Sequence, residues 1–410
     1  MKKLIFFAAG TLAFATACSS DELNITSKSE PQTTSSIRSQ AEAIELAQSI
    51  AEAHTEASRA DDTPIKKTSS VKVILGDSSR ATSDTLIYVV NYADNAGYAL
   101  ISAALTGEPV LAYTDKGSYD EKSDNPGLSL YIEQAKAYAA GKIPITDSIG
   151  EIGLTPDPSR PISVIETIYP RISVEWGQRY PEGIFCPNGI SGCVQTANAQ
   201  IFSFLEKPSS LSLTYPEKDI DIISIDWTNL KKHSKSSSYK LNSTHYLICK
   251  ASEENHNNLA RLCRELGHRA EAIYANNNTS SHPSPGMIQQ LTNCSVSELK
   301  NLTDYPEFFS YLDNSNSVAC IQGRNPETGA GHVWLCDGAQ QIVTTQRVPD
   351  CYGSYETITK TTTYFHFNWG WNGDGNGHFF AGVFDPAKGN KEPIRRANYN
   401  SNVKYFLISK

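Results

Sequence analysis

The chain has no run of basic residues, no CxxC pair, no internal repeat and no apolar run long enough to cross a bilayer. Each absence removes a class of protein. With 36 Lys and Arg against 44 Asp and Glu, and a net charge of -8, nothing offers the electrostatic footprint that a phosphate backbone requires, so nucleic acid is not an expected partner. Cysteines without paired spacing do not read as a zinc site, and no motif implies a metal or an organic cofactor. The apolar stretch at 4–15 is too short for a spanning helix, and a mean hydropathy of -0.37 argues against an integral membrane protein.

What is present begins with an address. Lys2 and Lys3 precede the 4–15 stretch, and Ala17-Cys18 follows it, then Ser-Ser-Asp-Glu. A small residue directly before Cys at that place resembles a bacterial lipoprotein signal. The resemblance implies removal of residues 1–17, lipidation of Cys18 and an exported protein anchored to a bacterial membrane, periplasmic or at the cell surface, and open to release by processing. A plain secretory signal with a coincidental Cys is the alternative. Residues 18–40, rich in Ser and Thr, read as a tether. Nine cysteines less Cys18 leave eight, and a free Cys193 would leave seven, which cannot all pair.

The 410 residues suggest two or three domains. Residues 41–54, Ala- and Glu-rich with Ile44, Leu46, Ala47 and Ile50 apolar, predict a helix. Short strands are expected at 71–75, 86–92, 98–103 and 110–113, with a hairpin turn at 95–97, and a second helix at 128–140. Residues 41–140 thus form a small α+β module containing no Cys and one His, His54. Residues 141–171 carry five prolines and read as an irregular, cleavable linker. From 172 to 410, helices (193–208, 257–266, 303–312) come first. Strands (317–322, 332–337, 363–369, 378–383, 405–409) follow, which suggests an α+β domain of two lobes with a cleft between them. The Lys- and Ser-rich 229–243 reads as a surface loop.

The chemistry centres on Ser191-Gly192-Cys193. Val194, Ala197, Ile201 and Leu205 share one face, so Cys193 opens a helix, whose positive end favours thiolate. A buried, inert Cys is the bland alternative. His332 heads a strand 139 residues later, after Thr328-Gly-Ala-Gly331. An imidazole placed there could take the thiol proton and later return it to a leaving amine. Asn368 in Phe367-Asn-Trp-Gly-Trp371 could accept from the His ring and fix its tautomer, with an indole covering the bond. Gln178 in Trp176-Gly-Gln could donate to an oxyanion beside the Cys193 amide.

Together WGQ, CPNGISGCVQTANAQIFSFLEKP, IDWTNL, GHVWLCDGA and HFNWGWNGDGNGHF make residues 172–410 resemble the streptopain-type papain-like cysteine peptidases. YVVNYADNAGYALISA, VLAYTDKG and NPGLSLYIE make 41–140 similar to that family's inhibitory propeptide. The resemblance implies a papain-like two-lobed α+β catalytic domain behind an α+β prodomain, made as a zymogen and cut in the Pro-rich linker. It assigns Cys193 as nucleophile, His332 as base and acid, Gln178 as oxyanion donor, and Asn368 as orienting group with Trp369 and Trp371 in support. Gly192, Gly331 and Trp369 are expected at the substrate cleft, protein or peptide as substrate, and the protein's own propeptide as inhibitor.

Departures stand out. Gln195 replaces an expected Ala and would bear on the cleft rim. Residues 274–286 match a substrate-wall loop poorly, and 340–355 looks like an insert containing Cys351. Two rival functions use the same residues: a transglutaminase or amidase employing the Cys-His pair, and a non-catalytic lipoprotein that binds a peptide or partner on a peptidase fold.

Overall fold

The computed structural model describes residues 37–57, 66–76, 85–142, 155–156, 162–215, 221–232, 253–314, 316–324, 329–349, 355–384 and 403–410. The expected signal, Cys18 and the tether up to residue 36 lie outside these residues, as do Cys351 and most of the Lys- and Ser-rich 229–243 loop, whereas Ile37 bridges Ala104 and Gln40 already opens the first helix.

The N-terminal module is a four-stranded antiparallel sheet between two helices. α1 (Gln40–Ala57) buries Ala43, Leu46, Ala47, Ile50 and Ala51. Strands β1 (Thr68–Leu75), β2 (Thr85–Tyr92), β3 (Tyr98–Ser102) and β4 (Val110–Tyr113) follow in spatial order. α2 (Pro126–Lys142) closes the module. With α1 on one side and α2 on the other, β2 to β4 are buried on both faces and read as unbroken apolar runs. The β2–β3 turn places Asp94 and Asn95 at positive φ, the residue types that tolerate it, before Gly97.

The expected linker is less irregular than its prolines suggest. β5 (Thr155–Pro156) and β6 (Ser163–Ile168) both pair with a strand of the second module, β6 opposite Ala339 to Val343. Arg171 then ties down the chain: its guanidinium donates to the carbonyls of Leu312 and Ser317 at 2.6 and 2.7 Å.

The helical lobe packs around α3 (Cys193–Leu205), whose residues Val194 to Leu205 are all buried, as in a helix at the centre of a domain. Around it lie β7 (Ser210–Ser212), β8 (Ile222–Ser224), α4 (Trp227–Lys231), α5 (Glu253–Arg269), β9 (Ile273–Ala275), β10 (Asn278–Ser280) and α6 (Pro285–Thr292). β11 (Ser295–Val296), β12 (Lys300–Asn301) and α7 (Tyr305–Asn314) lead into the sheet lobe. That lobe comprises β13 (Ser317–Arg324), β14 (Gly331–Pro349), β15 (Tyr355–Asn368), β16 (Gly377–Phe380) and β17 (Lys404–Ser409). The apparent insert at 340–355 is a continuation of the β14–β15 hairpin, paired out to Pro349 opposite Tyr355.

The two modules share one sheet. β4 pairs antiparallel with β16, His378 opposite Tyr113 and Phe379 opposite Ala112, so the order runs β1-β2-β3-β4-β16-β15-β14-β13-β17-β11. α2 packs on the face of that sheet and shares a core with both modules: Leu128, Tyr131 and Ala135 with Trp334, Phe367, Trp369 and Phe379.

Candidate active site

Gly192 begins the site. Its φ of 98° lies where L side chains are strained, and a Cβ there would meet Gln195 Oε1 at 2.7 Å. This turn delivers Cys193 to the first position of α3 without a side-chain cap. The half-buried thiol is faced by the backbone N–H groups of Val194, of Cys193 itself and of Val333, the residue after His332. Burial nevertheless pushes the thiol above its ordinary pKa. The expected helix-dipole activation is therefore overridden in this state: desolvation of a thiolate outweighs the N–H groups.

His332 is buried at the head of β14, its ring stacked near Trp334. Its Nε2 lies 2.9 Å from the carbonyl oxygen of Trp369. A carbonyl only accepts, so Nε2 carries the hydrogen and Nδ1 keeps the lone pair, the arrangement of a general base. Burial lowers its pKa to about 4, the bond to Trp369 opposing. Among the described residues no hydrogen bond joins His332 to Cys193, and burial disfavours the charged form of each.

Asn368 does not orient the imidazole. Its Nδ2 donates to the Val174 carbonyl at 2.9 Å and its Oδ1 accepts from the Gly370 amide at 3.1 Å. The neighbouring main-chain carbonyl of Trp369 takes the orienting place instead. The Trp369 ring is covered by the N-terminal module in this state. It is fully buried, with its Nε1 donating to Gly375 O at 2.9 Å and its ring among Tyr131, Trp334, Phe367 and Phe379. Trp371 is half-buried, and Gly331 is exposed at the start of β14.

Gln178 is buried, and a ladder of side chains that sequence reasoning overlooked fixes its segment to α3. Gln200 Nε2 donates to Trp176 O (3.0 Å) and Thr196 Oγ1 to Gly177 O (2.9 Å). Ser191 donates to Gln178 O through both its amide (2.8 Å) and its hydroxyl (3.1 Å). Three consecutive carbonyls are thus held by one helix and its leading turn. Buried polar residues on an otherwise apolar helix are the signal that points to it. Gln195, expected at the rim, is buried and donates to Ser281 Oγ at 2.9 Å, linking α3 to the 274–286 segment.

The N-terminal module occupies this site. Trp371 Nε1 donates to Asp124 Oδ1 (2.8 Å), Ser123 Oγ to Asp374 Oδ2 (2.7 Å) and Asn125 Nδ2 to Asp374 O (2.8 Å). Asn125 Oδ1 also accepts from the amides of Gly127 and Leu128, capping α2. Asn-Pro-Gly is a recognisable helix start, with Pro at the first position. Gly127 is seated so closely that a Cβ would lie 2.4 Å from Trp369 Cε3 and 2.7 Å from His332 Cδ2.

Residues 176–379 match the Peptidase C10 family and residues 34–139 match the Spi protease inhibitor family. Among solved structures, the chain is similar to a fragment of prointerpain A from Prevotella intermedia carrying a cysteine-to-alanine mutation. The identity is 18%, over 82% of this chain and 98% of that one, with a TM-score of 0.52. It is also similar to active wild-type interpain A from Prevotella intermedia, at 19% identity over 62% of this chain and 97% of that one, TM-score 0.37. No curated protein matches the chain in sequence. With a C10 peptidase domain preceded by a Spi-type inhibitor domain, the chain belongs to the C10 cysteine peptidases and carries its own propeptide inhibitor.

Proposed function

We propose that this zymogen is an exported endopeptidase, tethered by lipid at Cys18, in which Cys193, His332 and Gln178 do the chemistry. The observation that carries the latent half of the reading is Gly127 seated against His332 and Trp369 while Asp124 holds Trp371. The tether rests on the Ala17-Cys18 motif alone.

With the inhibitor domain gone, His332 Nδ1 takes the Cys193 proton as sulfur bonds to the peptide carbonyl carbon. Gln178 and the Cys193 amide donate to the resulting oxyanion. Collapse breaks the C–N bond, and the imidazolium gives its proton to the leaving amine. Water then attacks the thioester, His332 takes its proton, the S–C bond breaks and a carboxylic acid leaves with the thiol restored. Trp369 O holds Nε2–H throughout, supplying the tautomer. The pairing of both β5 and β6 with β14 favours a cleavage before Thr155 as the one that frees the inhibitor domain.

The test is Cys193→Ala. The variant is expected to lose peptide hydrolysis and to persist at full length under reducing conditions that convert the parent. Undiminished hydrolysis by that variant would sink the assignment.

A further inference from the structure

A row of aromatic rings crosses the boundary between inhibitor and catalytic domains. Tyr113 on β4, His378 on β16 and His366 on β15 are successive cross-strand neighbours. Tyr113 stacks on His378 at 5.0 Å and 11°, and His366 meets the other side edge-on at 5.2 Å. From α1, the His54 ring also abuts His378 at 5.2 Å. His378 is 3% exposed, and among the described residues neither of its ring nitrogens has a hydrogen-bond partner.

Two of these histidines are paired and one is not. His54 Nε2 meets Asp115 Oδ2 at 2.8 Å, and Lys66 bonds the same carboxylate at 3.0 Å. All three belong to the inhibitor domain, so this cluster travels with it on release. The His54 Nδ1 contact to Gln340 Oε1, at 2.8 Å, and the His54–His378 ring contact cross the boundary. His366 Nδ1 meets Asp337 Oδ1 at 2.6 Å, and both stay with the catalytic domain. Release strips Tyr113 and His54 from His378 and opens its ring to water, and it parts His54 from Gln340.

We propose that His378 is an acid sensor at the inhibitor–enzyme boundary, and that its protonation drives release of the inhibitor domain. The inference rests on the latency reading and adds its regulation. Burial, with His366 and His54 adding to it and Asp115 opposing, holds His378 well below the ordinary imidazole pKa in the docked state. The sign follows. Above the released-state value both states bind no proton and docking is at full strength. As pH falls below that value the released state takes up a proton that the docked state refuses, and docking weakens. A released value near the ordinary 6.5 makes release about 25-fold more favourable at pH 5 than at pH 7.

The test uses the full-length Cys193→Ala chain, which cannot turn over, so the inference can fail while the latency reading stands. Hydrogen exchange of β4, corrected for intrinsic rates, reports opening of the boundary. Exchange of β13 reports loosening elsewhere. In the parent, β4 opening is expected to rise about 25-fold between pH 7 and pH 5, with β13 unchanged. His378→Phe retains a ring that can stack on Tyr113 and loses no hydrogen bond, and it is expected to flatten that rise. His378→Gln serves the same purpose if the first variant does not fold. A rise of parental size in a folded variant, no rise in the parent, or a rise shared equally by β13 would each overturn the proposal.

Discussion

Gly127→Ala isolates the contact by which the inhibitor domain reaches His332. The new Cβ would lie 2.4 Å from Trp369 Cε3 and 2.7 Å from His332 Cδ2, so something must shift. Neither neighbour is a flexible chain end. The Trp369 indole is bonded to Gly375 O and walled in by aromatic rings, and His332 is bonded to Trp369 O. The start of α2 must therefore back away. Overpacking of this kind costs about 1–3 kcal/mol, equivalent to about 5- to 150-fold in the ratio of docked to open precursor. Helix propensity pushes the other way, because Ala is a better helix former than Gly by about 0.5–1 kcal/mol. A net loosening would thus report the contact rather than the helix. The assay is the rate at which a peptide-based thiol electrophile labels Cys193 in the intact precursor, which follows the open fraction. Faster labelling by that factor is expected. Labelling at the parental rate would refute the claim that Gly127 is a tight point of the lock.

Two further outcomes are expected. Glu108 is 1% exposed, and its carboxylate accepts from Lys360, Thr362 and Tyr364 of the catalytic domain at 2.7 to 2.8 Å. Glu108→Ala takes this acceptor from Lys360 and Thr362, while Tyr364 keeps the Val110 carbonyl, and should weaken docking by about 2 kcal/mol, read as faster exchange in β4, whereas unchanged exchange would mean the donors find other acceptors. In the precursor the Cys193 thiol is held above its ordinary value, so labelling by a small haloacetamide should climb as pH rises through that raised value. The mature enzyme, with His332 free to pair, should already label at mildly acidic pH, and identical profiles would contradict a thiol held above its ordinary value in the precursor.

Much of this molecule was legible because its signals are local. The spacing of Val194, Ala197, Ile201 and Leu205 marked α3, and the apolar runs of the first module marked β2 to β4. β6 was hidden because the flanking prolines dominate the reading of a six-residue strand whose partner lies far along the chain. The outer arm of β14 reads as an insert for a related reason: its buried face is mostly polar, Gln340 and Thr344 flanking Ile342, so no apolar alternation marks it. Asn368 was chosen over the group that orients His332 because a main-chain carbonyl has no residue identity in a sequence. The state of Cys193 is hidden from the sequence on different grounds. A helix terminus is local, whereas the burial that opposes it depends on the folded surroundings of the site.

The shared sheet has a further consequence for maturation. The two domains are stitched through the sheet by two residue pairs, against fourteen along β14 and β15. The join works as a perforation: firm while the helix and side chains hold, yet with few backbone bonds to tear. What the tear leaves behind is a border of only four residues, Gly377–Phe380. So short a raw edge gives stray strands little to grip, which lets the enzyme shed its inhibitor without becoming a template for aggregation.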